Sequence, residues 1–204
     1  MDLARVEKEL KNRLSYPYIW GRKQSNDWDR QTNFIYSTYS MNALIRKSFH
    51  LSQELRNYAF NRWYNYWSAM AIEYIFTSYP KVEANRNIYD KLVDFTIDSI
   101  AFDHKTSIFP KGFKHSLEYA QKNELELLEW LYNNQSQEGR KHLKNRLFVI
   151  VYDSKDFQHW RVKAEIALLQ KHIKEYLKNF SKESLKRLDF GEGEVLSDII
   201  WVVK

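Results

Sequence analysis

The chain has 204 residues, 44% of them hydrophobic and 28% charged, which is the composition of a soluble globular protein with a real core and excludes a fibrous or loop-dominated chain. It has no cysteine, so disulfides, thiolate metal sites and a cysteine nucleophile are excluded, and a reducing cytoplasm is the straightforward location. Its 32 Lys and Arg against 26 Asp and Glu give a formal charge of +6, which permits an anionic partner such as nucleic acid.

Residues 2–14 predict an amphipathic helix, with Leu3, Val6, Leu10 and Leu14 at helical spacing. The charged start of this segment is unlike a secretory signal, and no apolar run approaches 18 residues, so no membrane partner is expected. Residues 15–33 carry Pro17, Gly21 and many polar residues and predict a loop; residues 34–50 look helical. A long helix is expected from Ser52 to Tyr79, stopped by Pro80. Glu73 lies near its C-terminal end, where the helix dipole disfavours a carboxylate. Trp20, Trp28, Trp63 and Trp67 fall in this first third; core packing is their ordinary use, and base stacking the other.

After Pro80 the hydrophobic period changes from 3.6 to 2. "KVEAN", "KLVDFTI" and "SIAFDHKTS" read as strands, and "HSLEYAQKNELELLEWLYNN" as an amphipathic helix. "RLFVIVYD" is a strand buried on both faces. "DFQHWRVKAEIALLQKHIKEYLKNF" is a second helix, "GEGE" a turn, and "VLSDIIWVVK" the last strand. This order predicts an α/β fold: a mixed sheet flanked by helices over residues 52–204, preceded by a helical extension over 1–51 that would help bind substrate or dimerise.

The segment "LVDFTIDSIAFDHKTSIFP" (92–110) carries the chemistry. With Asp98-Ser99 as a two-residue turn, Phe95 faces Phe102 and Asp94 faces Asp103. Alternation gathers Val93, Phe95, Ile97, Ile100, Phe102 and His104 on one face, so His104 is expected to be a satisfied core histidine. Asp94, Thr96, Ala101, Asp103 and Lys105 share the other face. Directly opposed carboxylates stand about 5 Å apart, where they share a proton or hold a cation. All-oxygen donors suit a hard ion, Mg²⁺ or Mn²⁺. Lys105 beside that ion would orient a water and stabilise charge on phosphorus.

These residues resemble the PD-(D/E)xK nuclease superfamily. The likeness lies in Val93-Asp94 and Asp103-His104-Lys105 across a short hairpin, and in an αβββαβ order over about residues 55–152. The resemblance implies a restriction-endonuclease-like core and Mg²⁺-dependent hydrolysis of DNA, with Asp94 and Asp103 as ligands and Lys105 as the catalytic lysine. It also implies a further ligand on the helix before the first core strand, where Glu73 stands; Glu83 is a weaker candidate. Val93 replaces the motif's proline, and Asp103 stands where Glu is commoner. The alternatives are a catalytically inactive nucleic-acid-binding member of the same fold and a protein-interaction domain. Double-strand cleavage would favour a homodimer.

Lesser candidates are cationic. Lys111, Lys114 and His115 precede a helix and would contact a phosphate or form a solvated loop. Gln135, Gln137, Arg140, Lys141 and Lys144 form a basic stretch, and Arg22, Lys23 and Arg30 lie in the early loop. Asp153 has the place of a turn or helix-capping residue.

Overall fold

The computed structural model describes residues 1–20, 26–85, 87, 92–134, 143–191 and 193–204, and the chain forms two compact units. The first comprises residues 1–72 with 163–169, and the second residues 73–162 with 170–204. The helical part is thus larger than the expected 1–51 extension, because it takes in most of the long helix.

The first unit starts with helix α1 (Leu3–Arg13), capped by Asp2, whose carboxylate accepts from Arg5 N–H. Helix α2 (Asn26–Gln31) falls in the segment expected to be loop; it is short, polar and buries no residue, so it leaves no periodic signal. A 3₁₀ turn (Asn33–Ser37) and helix α3 (Met41–Ser48) divide the segment expected to be one helix. Helix α4 (Gln53–Thr77) runs close to its expected bounds, with Ser52 Oγ accepting from Leu55 N–H at its start. Aromatic rings fill this core rather than a binding face: Tyr58 meets Trp20 and Trp28 edge-on, and the buried Trp63 donates to the Thr38 carbonyl at 2.6 Å.

The second unit is a six-stranded mixed sheet of order β1-β2-β3-β4-β6-β5. Its strands are β1 (Val82–Ala84), β2 (Phe95–Ile97), β3 (Ile100–Ile108), β4 (Arg146–Tyr152), β5 (Lys186–Asp189) and β6 (Glu194–Val203). β1, β2 and β3 form an antiparallel meander. β3, β4 and β6 are parallel, and β5 pairs antiparallel with β6. β5 escapes sequence reading because "KRLD" buries only Leu188. Its turn into β6 uses Gly191 and Gly193 at φ +79° and +143°.

Parallel strands need long crossovers, and helices supply them. Helices α5 (Leu117–Lys122) and α6 (Glu124–Asn134) lie between β3 and β4; they divide one expected helix at Asn123, whose φ/ψ of −128°/50° is not helical. Leu127, Leu128 and Leu131 of α6 pack on Phe148, Ile150 and Ile199. Helix α7 (Ile166–Lys178) lies between β4 and β5 after a 3₁₀ turn (His159–Ala164), so the expected 156–180 helix is also shorter. β4 is buried along nearly its whole length, as its unbroken apolar run requires.

Candidate functional site

The site is organised by the β2–β3 hairpin. Asp98 and Ser99 take φ +46° and +68°, the mirror-image two-residue turn whose twist suits paired strands. The register is the one that alternation dictates: Ile97 opposite Ile100, Thr96 opposite Ala101, Phe95 opposite Phe102. The ladder does not carry on to pair Asp94 with Asp103. Asp94 N–H donates to the Phe102 carbonyl at 2.8 Å, so Asp94 and Phe95 both lie opposite Phe102, as at a bulge.

That turn of the backbone re-aims the Asp94 side chain. Its Oδ2 accepts from His104 N–H at 2.7 Å, where the next carbonyl of a continuing strand would stand. The same oxygen lies 2.7 Å from His104 Nδ1, and because a carboxylate only accepts, the ring proton is on Nδ1. His104 is buried and near-parallel to Phe95 at 6.0 Å, on the core face as expected. Burial of Asp94 opposes its ionisation, but the hydrogen bonds and charge of His104, and then the charge of Lys105, hold its carboxyl below the ordinary range.

Asp103 lies on the other face of β3, opposite Arg146 of the parallel β4. Arg146 Nε donates to Asp103 Oδ2 at 3.0 Å, and Lys105 Nζ donates to Asp103 Oδ1 at 2.8 Å. The Arg146 guanidinium also stands 5.3 Å over the Tyr132 ring. Arg146 was invisible as a site residue in the sequence; the signal was a charged residue opening an otherwise apolar strand. The expected direct carboxylate pair is therefore replaced by two arrangements, Asp94 with His104 and Asp103 with Lys105 and Arg146.

Glu73, near the end of α4, is half-buried. Desolvation and then the charge of Asp94 raise its proton affinity, while His104 lowers it. Glu73 and Asp94 are thus electrostatic neighbours. Glu83 is exposed and opposite Thr96; together with Asn85 and Val93 it lines a groove of about 740 Å³ along the meander.

Comparison with protein-family models, curated proteins and solved structures finds no match.

Lys111, Lys114 and His115 are exposed beyond the far end of β3. The helix they precede has six residues, and Ser116 Oγ already accepts from its Tyr119 N–H. His115 stacks on Tyr119 at 4.2 Å and faces Glu126 at 3.7 Å. These three residues thus do not join the acidic cluster. Arg30 is exposed and 3.8 Å from Asp27, and Lys144 is exposed. Arg22, Lys23, Gln135, Gln137, Arg140 and Lys141 lie outside the described residues. Asp153 has the turn role expected, its Oδ1 accepting from Lys155 and Asp156 N–H.

Among the described residues, no three His, Asp or Glu side chains form a group that could hold a metal ion. Asp103 is already balanced by two cations. Glu73 and Asp94 differ: they are oxygen donors, both partly buried, and the charge of Asp94 adds to desolvation in raising Glu73's proton affinity. Their chemistry fits a hard divalent cation that keeps several waters.

Proposed function

We propose that the chain is a metal-dependent nuclease that hydrolyses DNA phosphodiester bonds on a restriction-endonuclease-like core. The observation that carries this reading is the position of Lys105. Its ammonium donates to Asp103 Oδ1 at 2.8 Å, and its charge helps hold the Asp94 carboxyl below the ordinary range. A lysine whose charge reaches two carboxylates at the end of a hairpin suits stabilisation of a phosphate's developing charge.

Glu73 and Asp94 would hold Mg²⁺ or Mn²⁺. The ion, when bound, supplies an activated water and neutralises phosphate charge. His104 fixes the Asp94 carboxylate through two hydrogen bonds. Arg146 holds Asp103 in place, and Asp103 orients Lys105. The side chain of Lys105 is 45% exposed, so a phosphate can reach it from solvent.

The test is incubation of the purified protein with supercoiled and linear DNA in Mg²⁺, Mn²⁺ or EDTA, beside Asp94→Asn and Lys105→Ala. Cutting by the wild type in metal alone, lost in both variants, supports the reading. A wild type that leaves every substrate intact removes it. A second reading, a nucleic-acid-binding member of the same fold without catalysis, is favoured by one observation: both Asp103 oxygens are engaged by cations.

A further inference from the structure

Phe49, at the corner between α3 and α4, is the most exposed large hydrophobic residue among the described residues, at 78%. The corner that presents it is well fixed. The Arg56 guanidinium donates to three carbonyls: Ser48 at 3.3 Å, Phe49 at 2.8 Å and Leu51 at 3.3 Å. These bonds close the C-terminal end of α3, where free carbonyls need partners. The same guanidinium carbon stands 5.8 Å from the centre of the Phe49 ring, so one cation backs the aromatic.

The surroundings are cationic. Arg46, Lys47 and His50 are all exposed beside Phe49. Lys47 is exposed as a residue, and its ammonium donates one hydrogen bond, at 3.0 Å, to the buried Thr38 Oγ1, leaving its other N–H groups for a further acceptor. No Asp or Glu occurs between Asp29 and Glu54, so no nearby carboxylate in the sequence offsets these charges. The first unit as a whole carries 12 Lys and Arg against 7 Asp and Glu, a net +5 of the chain's +6.

We propose that this corner binds a DNA strand carrying an unpaired base, with the base stacked on Phe49 and the flanking phosphates on Arg46 and Lys47. An exposed ring backed by arginine offers a flat face to any base, and the basic residues supply a salt-sensitive backbone contact. An apolar partner surface would match Phe49 but not the cations around it. The proposal rests on the reading of the chain as a nucleic-acid protein, not on its catalysis.

The test is binding of a labelled single-stranded oligonucleotide containing 2-aminopurine, followed by anisotropy and base fluorescence in EDTA, so that cutting cannot intervene. Phe49→Ala should weaken binding roughly tenfold and abolish the fluorescence quench, with far less effect on a blunt duplex. Arg46→Ala should lower the slope of log affinity on log salt by about 1. Thermal melting of Phe49→Ala should match the wild type, since the ring packs on little. Unchanged binding by Phe49→Ala overturns the proposal. So does a dimer in sedimentation velocity that Phe49→Ala dissolves while DNA binding is kept. A wild type that binds and quenches but never cuts removes the nuclease reading alone. Asp94→Asn, which should stop cutting, should leave the quench intact.

Discussion

Arg146 and Asp103 face each other across two parallel strands, Nε to Oδ2 at 3.0 Å, with both side chains at or below about a tenth exposed. The pair exists because the β3–β4 register sets Asp103 opposite Arg146 where β4 begins. Removing one member of a buried pair leaves the other charge without its partner. Arg146→Met should therefore destabilise the protein by about 2–4 kcal/mol, reduced somewhat because Lys105 stays on Asp103. Asp103→Asn combined with Arg146→Met should cost less than the sum of the single changes. Denaturant unfolding of the four proteins measures this coupling, and strict additivity would remove the pair as a structural unit.

Glu73 and Asp94 should show opposite pH dependences. Glu73 is raised above its ordinary 4.5 by desolvation and the charge of Asp94, so its ionised form costs stability at neutral pH. That cost fades as pH falls through the raised value and the carboxyl takes its proton. Glu73→Gln should raise the melting temperature by about 2 °C at pH 7 and by nothing below pH 4. Asp94 lies below its ordinary 3.8, so its contribution is present above 3.8 and is lost as pH falls through the lower folded value. Asp94→Asn should thus lower the melting temperature at pH 7, with a smaller loss at pH 3. Parallel shifts for the two variants across this range would contradict the electrostatic account.

Ser99 adopts φ +68°, a conformation that costs a residue with a Cβ and is free for glycine. Ser99→Gly makes the turn Asp-Gly, the preferred pair for this geometry. It should stabilise the protein by about 0.5–1 kcal/mol and leave the register of β2 on β3 unchanged. A loss of stability in chemical unfolding would count against the turn assignment.

Lys163, in the first unit, is 9% exposed and donates to Asn65 Oδ1 at 3.2 Å. Burial lowers its pKa from 10.5 to about 8. The folded state therefore holds fewer protons than the unfolded chain between about pH 8 and 10.5, and stability rises with pH across that window. Lys163→Met should gain about 1–3 kcal/mol at pH 7 and progressively less towards pH 10. A gain independent of pH would show that packing, not charge, is responsible.

The hairpin was legible in the sequence because Phe95, Ile97, Ile100 and Phe102 leave one register that buries them all. The position of Asp94 was not, because one N–H turned towards Phe102 changes where its side chain goes without changing the period of its neighbours. Arg146 was missed for a related reason: parallel pairing of β3 with β4 brings in a residue 43 positions away, and no local pattern encodes that register. α2 and β5 were missed because each buries at most one side chain. The face of Lys105 followed from alternation, but its hydrogen bond to Asp103 needed coordinates.

The sheet's outer strands, β1 with three residues and β5 with four, are much shorter than the nine- and ten-residue β3 and β6 inside it. Open edges are templates on which other chains can add strands, and brevity is one way to blunt them. β5 adds charge at Lys186, Arg187 and Asp189. The sheet therefore ends on both sides in stubs that offer little backbone to a second molecule, and protection against self-templated aggregation is built into the same order of strands that holds Asp103 against Arg146.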